Sequence, residues 1–381
     1  MERICDNGAA PECSVRGEPG IGWMGAAGVS IFERHRYFTI AVLMMAVGAI
    51  TLVALEFGFR FARDLVRGSS AIARVENIDD EELGWALNPD RNTVTKTNAC
   101  NEAVVRKAPA GKYLFKAAPP AASGGLRVLV LGDSFTQGTE TSTDGLYFEV
   151  FEKIGAGRYA VSAAGIGGFN TAQEYRLLEK VLPVAAPKIV FWQLSSNDIS
   201  ENVHAGTDIS TVQKPRLYYD PAGDSFAIRN PAWWPLQHSE LAKYLYGELM
   251  KIERGHPFGF NKMIGWVAPL PAVPASEVTP RGLLVMERLL AKAMKAHPEI
   301  RFVGFSADGG YDSEYRAVFE GQGAAYITGL ATQLRAASAG QRIDCAPIDS
   351  HWNHLGNRLA ASALLDYTNR AFATPYDAAA R

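Results

Sequence analysis

Short apolar runs alternate with amphipathic stretches through the C-terminal two thirds of the chain. Continuous runs of this length are typical of strands covered on both faces, as in parallel sheets. The stretches between them have helical periodicity, so the alternation predicts an α/β sandwich of three layers, with a parallel sheet between helices. The predicted strands are residues 127–131, 159–163, 188–194 and 301–306.

The clearest helical pattern covers residues 279–298. Thr279 is a natural N-cap, Pro280 suits the first helical position, and Pro298 predicts the end of the helix. Between residues 200 and 276 the alternation is interrupted, which predicts an insertion with a helix of its own near Leu241. The apolar face of the 279–298 helix is predicted to consist of Leu283, Met286, Leu290 and Ala293.

A different pattern occupies residues 37–55, which read "YFTIAVLMMAVGAITLVAL" and include no charged residue. At ~1.5 Å per residue, roughly 19 helical residues approach the ~30 Å thickness of a bilayer core. The run is apolar on every face, unlike the amphipathic helix of a soluble protein. No small-x-small cleavage site follows it, so we expect one uncleaved membrane span, residues 37–57, rather than a core helix or signal peptide.

The arginines beside this span leave its orientation open. Counting positive charge at the two ends would put the C-terminal side in the cytoplasm. The later arginines also fit a continuing helix, "EFGFRFARDLVRG", at the membrane surface. Arg34 and Arg36 precede the span, and Arg60, Arg63, Arg67 and Arg74 follow it.

Composition restricts the possible partners and folds. A chain of 381 residues with 48% hydrophobic content can bury a large core, and a formal net charge of −2 gives no electrostatic basis for a nucleic-acid partner. Of the four cysteines, only Cys100 and Cys345 follow the predicted span. They could pair outside the cytoplasm, or remain two free buried thiols.

The pattern and composition together predict a division of the chain into five parts. The first part is glycine-rich and without periodicity, which predicts disorder. The predicted parts are a tail at 1–36, the membrane helix at 37–57, a juxtamembrane segment and linker at 58–125, an α/β domain at 126–373 with its insertion at about 200–276, and a tail at 374–381.

Polar residues with catalytic chemistry follow the predicted strands. Ser134 comes directly after the first strand, and ligands of open α/β sheets bind beyond the carboxyl ends of the strands. Gly132 permits a tight turn there, and N–H groups at the start of a helix can face an anion. These residues alone also fit a serine that only caps the helix.

A base for this serine is present near the C-terminus, in "DSHWNH". A serine becomes a nucleophile when a base takes its proton and a third group orients that base. His351 and Asp349 supply such a pair. A metal site formed by Asp349, His351 and His354 is the alternative.

Two further segments, "AAGIGGFNTAQE" and "QLSSNDISEN", also follow predicted strands. A glycine N–H of the first and the Asn197 side chain of the second can join the Ser134 N–H. Together they would stabilise an oxyanion. Alone, Asn197 and Asp198 would form an ordinary turn.

Four segments of the chain resemble the conserved blocks of the SGNH or GDSL-type hydrolases. They are "GDSFTQG", "GIGGFNT", "SSND" and "DSHWNHLGN", and they occur in the family's order. The resemblance covers residues 126 to about 373 and implies a flavodoxin-like sandwich. Upstream, "ELGWALNPD" and "TN", together with the later "QKPRLYY", resemble a membrane-anchored bacterial subgroup whose catalytic domain faces away from the cytoplasm.

The resemblance implies a role for each matching residue. Ser134 would be the nucleophile, His351 the base and Asp349 the acid that orients it. The Ser134 N–H, Gly168 and Asn197 would be the oxyanion donors. No metal or organic cofactor is expected.

The chain also departs from the family pattern at three places. Asp349 precedes His351 by two residues rather than the commoner three. Ser195 replaces a frequent glycine, and Ala163 replaces a frequent asparagine.

The expected function is therefore hydrolysis of an acyl ester, acetyl among the candidates, through an acyl-enzyme. The substrate would be an acylated small molecule, lipid or glycan, and the domain would lie on the periplasmic or extracellular side. One alternative is an O-acyltransferase that modifies an envelope glycan, which the aromatic residues Trp233, Trp234 and Tyr244 would suit. Another is a protein that binds glycan or assembles the envelope without catalysis.

Overall fold

The computed structural model describes residues 35–72, 76–118, 125–203, 215–229, 239, 241–242, 244–245, 248–249 and 273–372. The chain forms two units, Met1–Phe57 and Gly58–Arg381. Nearly all of the predicted N-terminal tail, residues 119–124 of the predicted linker, the C-terminal tail, Trp233 and Trp234 lie outside the described residues.

The first described helix, α1, covers Arg36–Ile72. Its segment Arg36–Ala62 is long and apolar enough to cross a membrane, and its most apolar part is not buried within the chain. At ~1.5 Å per residue these 27 residues exceed the ~30 Å bilayer core. The helix includes the predicted span and continues beyond it, as the sequence indicated.

Two antiparallel hairpins follow in the second unit. Strand β1 (Asn77–Asp80) pairs with β2 (Gly84–Leu87), and β3 (Val94–Thr97) pairs with β4 (Ala103–Arg106). These residues belong to the predicted juxtamembrane segment, whose sequence pattern indicates irregular structure or short strands. Leu83, Trp85 and Leu87 of the first hairpin belong to the same core cluster as the central sheet.

The central sheet has five parallel strands in the described part of the chain. They are β5 (Leu126–Gly132), β6 (Tyr159–Gly165), β7 (Ile189–Leu194), β10 (Arg301–Ser306) and β11 (Ala325–Ile327). Their order, β11-β10-β7-β5-β6, is the flavodoxin-like order, which confirms the predicted fold class. Four strands match the predicted ones, whereas β11, with three residues, is too short to give a pattern.

Helical layers cover both faces of this sheet. Strands β5 to β7 are almost entirely buried, as a sheet between two layers requires. One layer consists of α4 (Thr171–Ala185), α6 (Ala275–Ala296) and α7 (Asp312–Gly321), and the other of α3 (Tyr147–Ile154), α8 (Leu330–Ala337) and α9 (His354–Ala371). Two short helices, α2 (Ser134–Gln137) and α5 (Asn197–Asn202), begin at the carboxyl edge of the sheet.

Helix α6 corrects one prediction. It begins at Ala275, so Thr279 is not its N-cap and Pro280 lies inside the helix. The preceding residues, "ASEVT", include no helix breaker and extend the helix by more than a turn. The end before Pro298 is confirmed. Of the predicted apolar face, Met286, Leu290 and Ala293 are buried and Leu283 is partly buried.

Two further antiparallel hairpins complete the described fold. Strands β8 (Arg216–Asp220) and β9 (Ser225–Arg229) lie in the predicted insertion, where the described residues around Leu241 are helical. Strands β12 (Asp344–Cys345) and β13 (Asp349–Trp352) precede α9. The β12–β13 hairpin carries the predicted base and acid.

Candidate active site

The turn between β5 and α2 presents Ser134 at the carboxyl edge of the sheet. Gly132 is necessary there, because a Cβ at this position would overlap the side chain of Gln193. Asp133 is the N-cap of α2 and accepts a hydrogen bond from the Phe135 N–H at 3.1 Å. The alternative that Ser134 serves as the capping residue is therefore wrong.

The side chains of Ser134, His351 and Asp349 form one hydrogen-bonded chain. Ser134 Oγ lies 2.6 Å from His351 Nε2, and His351 Nδ1 lies 2.5 Å from Asp349 Oδ1. The same carboxylate oxygen accepts the backbone N–H of His351 at 2.8 Å. Residues two apart on a strand share a face, so the short spacing brings the carboxylate to the ring.

Packing and hydrogen bonds hold the base in this position. The ring of Phe135 lies 4.7 Å from that of His351. The carbonyl of the next residue, Trp352, accepts hydrogen bonds from Thr141 Oγ1 at 3.2 Å and Asn357 Nδ2 at 3.1 Å. Helix α9 therefore fixes the backbone beside the base.

A disulfide between Cys100 and Cys345 fixes the same hairpin from the other side. Cys345 ends β12, and Cys100 lies in the turn between β3 and β4. The juxtamembrane segment is thus covalently joined to the hairpin that carries His351. Of the two alternatives left by the sequence, the structure has the paired cysteines.

His354 does not join Asp349 and His351. It begins α9, is exposed, and its ring lies against Gly145. Among the described residues, no group of three or more His, Cys, Asp or Glu side chains is arranged to hold a metal. The alternative metal site at these residues therefore lacks its third ligand.

Asn197, at the start of α5, is held through both ends of its amide. Nδ2 donates to Glu201 Oε2 at 2.9 Å, and Oδ1 lies 2.6 Å from Ser195 Oγ. Ser195 Oγ also lies 2.7 Å from Asp133 Oδ2, so it bridges the asparagine to the turn before Ser134. Ser195 thus fixes Asn197, and among the described residues Glu201 is the one hydrogen-bond acceptor of its Nδ2.

The glycine loop after β6 is fixed in a comparable way. The Gly167 N–H donates to Gln137 Oε1 at 2.6 Å, and Trp85 Nε1 donates to the Gly167 carbonyl at 3.1 Å. Gly168 has φ +77, a left-handed conformation that favours glycine. Neither its N–H nor that of Ser134 forms a hydrogen bond within the described part of the chain.

Sheet order explains why these donors share one edge. Ser134, Gly168 and Asn197 follow β5, β6 and β7, and β5 lies between the other two. Carboxyl ends of adjacent parallel strands meet at the same edge. One hydroxyl, one imidazole and three N–H donors thus occupy the edge where such folds bind ligands.

Two carboxyl groups are buried behind this edge. Burial, reinforced by neighbouring carboxylates, raises the pKa of Glu174 and of Asp198 well above the ordinary values. Trp192 Nε1 donates to Glu174 Oε2 at 2.8 Å, but Glu174 Oε1 and Asp198 Oδ1 have no partner among the described residues. The raised pKa values favour the neutral form of both groups.

Replacing Glu174 with glutamine should remove a pH-dependent loss of stability. A carboxyl group whose pKa is raised by folding contributes its full stabilisation of the folded state at pH values below its pKa in the unfolded chain. That contribution is lost as the pH rises towards its pKa in the folded protein. The loss is about 1.4 kcal/mol for each pH unit in this window. The free energy of unfolding from urea titrations should therefore favour Glu174→Gln increasingly between pH 5 and pH 8.

The matched control is Glu179→Gln, on the same helix, where the carboxylate is partly exposed and paired with Arg176. Its effect should not grow with pH in the same direction. A Glu174→Gln difference that is equal at pH 5 and pH 8 would contradict the neutral, buried carboxyl.

Several residues of the site were not predicted. Gln137 lies inside "GDSFTQG", Trp85 inside "ELGWALNPD" and Arg216 inside "QKPRLYY", but sequence reasoning assigned no role to these residues. Glu201 follows the asparagine block by one helical turn. Their hydrogen-bond and ion-pair partners are distant in sequence. The one available signal was therefore that the segments around these residues resemble family segments.

Among known proteins, this chain is similar only to solved structures. No family model and no curated protein matches the chain. A lipolytic GDSL-family protein from Veillonella parvula is 14% identical, with 65% of this chain and 100% of that chain covered and a TM-score of 0.36. A carbohydrate acetylesterase family member from Sinorhizobium meliloti is 15% identical, with coverage of 65% and 99% and a TM-score of 0.33.

A third structure, the esterase EstA from a Pseudoalteromonas species, is 12% identical, with coverage of 65% and 98% and a TM-score of 0.36. These TM-scores lie below 0.5, so the likeness carries no inference about activity.

Proposed function

We propose that this chain is a serine esterase of the SGNH type that hydrolyses an acyl ester. The observation that carries the proposal is the hydrogen-bonded chain from Ser134 Oγ through His351 to Asp349. It has the order nucleophile, base and orienting acid that serine hydrolysis requires.

In the first half of the proposed reaction, Ser134 Oγ attacks the ester carbonyl carbon while its proton passes to His351 Nε2. The carbonyl oxygen takes the negative charge of the tetrahedral intermediate. The Ser134 N–H, the Gly168 N–H and the Asn197 amide are suited to stabilise that charge, at about 10²–10³ in rate per donor. When the intermediate collapses, His351 returns the proton to the departing alcohol, and the acyl group stays on Ser134.

In the second half, His351 takes a proton from water, whose oxygen attacks the acyl-enzyme. Collapse of this intermediate releases the carboxylic acid and returns the proton to Ser134 Oγ. Asp349 stabilises the imidazolium that forms in both halves and holds Nδ1 towards itself.

Turnover of p-nitrophenyl acetate by the full chain in detergent tests this proposal. We expect one acetate for each p-nitrophenol, and acid-quenched protein should carry one acetyl group on Ser134. With an oligosaccharide present, an acetylated sugar would instead identify acyl transfer. A protein that neither releases acetate nor becomes acetylated would be a binding protein, and the proposal would fail.

The role of Asp349 gives a separate prediction. Asp349→Asn should lower kcat by about 10²- to 10⁴-fold, because the amide carries no charge to stabilise the imidazolium. Asp344→Asn is the control: this residue lies on the same hairpin and its carboxylate accepts the Ala346 N–H at 3.1 Å. Steady-state kinetics in which both variants keep wild-type rates would remove Asp349 from the mechanism.

We also place the catalytic domain outside the cytoplasm, tethered by α1. The Cys100–Cys345 disulfide supports this, since such bonds persist in oxidising compartments and are rare in the cytosol. It favours the orientation of the resembling subgroup over the one obtained by counting arginines.

A further inference from the structure

Two sequence segments without an assigned role, "ELGWALNPD" and "QKPRLYY", contact each other beside the glycine loop. Gly84, in "ELGWALNPD", has φ +90, and a Cβ there would overlap the Pro215 carbonyl oxygen. Pro215 belongs to "QKPRLYY", and the guanidinium of the next residue, Arg216, lies 5.6 Å from the centroid of the Trp85 ring. The first hairpin and the β8–β9 hairpin thus meet at Trp85.

Trp85 contacts Gly167 and Phe169 of the glycine loop and lies close to Gly168 between them. Its Nε1 donates to the Gly167 carbonyl at 3.1 Å. Its Cζ2 lies 3.6 Å from the position of a Cβ on Gly168, and its ring meets that of Phe169 edge-on at 5.3 Å. The indole therefore helps to hold this loop, together with Gln137, which accepts the Gly167 N–H on its other side.

Arg216 connects Trp85 to Asn197, the second proposed oxyanion donor, through Glu201. Its Nη1 lies 3.2 Å from Glu201 Oε2, and its Nη2 donates to Glu201 Oε1 at 3.3 Å. The two side chains are only 5% and 11% exposed, so little solvent screens the pair. Glu201 in turn accepts the Asn197 Nδ2 hydrogen bond at 2.9 Å.

We infer that Trp85 is a positioning residue that holds the Gly168 and Asn197 donors as one unit, through the Arg216–Glu201 ion pair. The inference rests on the proposed esterase function. It makes a hairpin upstream of the predicted catalytic domain part of the catalytic site.

Preorganised donors must be held to about 0.5 Å, and a displacement of about 1 Å can cost roughly 10²-fold in rate. Trp85→Phe keeps an aromatic ring for packing but leaves the Gly167 carbonyl without the indole N–H. We expect kcat/KM for p-nitrophenyl acetate to fall about 10-fold, which is less than the roughly 10²-fold loss for a displacement of about 1 Å. KM should change less than about twofold.

A trifluoromethyl ketone provides the readout that a packing defect would not change. Ser134 Oγ adds to the ketone carbon, the hydroxyl proton passes to His351, and the ketone oxygen becomes an anion held by the donors. The inhibition constant for Trp85→Phe should rise by the same factor as kcat/KM falls. If rates per titrated active site stay at wild-type values, Trp85 only packs and the inference is overturned.

Trp192→Phe is the matched control. It also removes a buried indole N–H, but this N–H donates to Glu174 rather than to the glycine loop. We expect a lower Tm and a kcat per titrated site within about twofold of wild type. A kcat loss equal to that of Trp85→Phe would make the effect a general consequence of core damage and would overturn the inference.

The double variant Trp85→Phe/Asn197→Ala tests whether the donors act as one unit. Residues that act together are non-additive, so the double variant should lose less than the product of the two single losses. A loss equal to the product would show independently held donors. An inactive wild type that is not acetylated would reject the proposed function and this inference with it, whereas an active wild type with a fully active Trp85→Phe would reject the inference alone.

Discussion

Replacing Ser134 with alanine is expected to lower kcat for p-nitrophenyl acetate by at least about 10⁴-fold, with the Tm unchanged within a few degrees. The hydroxyl is the group placed 2.6 Å from His351 Nε2, and no acyl-enzyme can form without it. Removal of the nucleophile from a related serine–histidine–acid arrangement costs about 10⁶ in kcat, and the donors alone supply what remains.

The comparison should be made on the full chain in detergent, with substrate hydrolysis followed at saturation. Ser313→Ala, an exposed serine on α7, is the matched control and should keep the wild-type rate. Retention of more than about a tenth of wild-type activity in Ser134→Ala would mean that another group performs the reaction.

The second large effect is expected from the disulfide. It closes a loop of sequence separation 245, and in the chain-entropy treatment a loop this long contributes up to roughly 5 kcal/mol to the free energy of unfolding. Cys100→Ala/Cys345→Ala should therefore lower that free energy by about 3–5 kcal/mol. It should also lower kcat, because Cys345 anchors the hairpin of Asp349 and His351.

The control is Cys5→Ala/Cys13→Ala, two cysteines that precede the predicted membrane span and lie outside the described residues. Urea titration should leave this variant at wild-type stability. Alkylation of the full chain in cells under non-reducing conditions then tests the compartment: Cys100 and Cys345 should be protected until a reductant is added. Free reactive thiols at both positions would contradict an exported domain.

The fold followed from the sequence wherever a pattern was long enough. Four strands were predicted because each is an apolar run buried on both faces, whereas the flavodoxin-like arrangement was implied by the family resemblance. Strand β11 and the strands of the hairpins were not predicted, because two to five residues are too few to show a period. The start of α6 was misplaced because Pro280 is tolerated inside a helix whose apolar face is buried.

The residues of the candidate site also fall into a predictable and an unpredictable group. Residues that follow a strand or occur in a family block, such as Ser134 and His351, were predictable from position. Trp85 and Arg216 were not, since their partners lie in other hairpins and no local pattern encodes a cation–π contact or an indole hydrogen bond. The disulfide is a similar case: the sequence identified Cys100 and Cys345 as candidates, but it could not show that they lie close enough to pair.

Labelling with a fluorophosphonate tests the central claim most directly. The reagent phosphonylates a serine only when a base has activated it, and the serine oxygen displaces fluoride from phosphorus. Peptide mass analysis of the full chain should find a single adduct, on Ser134, and His351→Ala should abolish it. An unlabelled wild-type protein, or labelling of Ser134 that persists without the imidazole, would contradict the account.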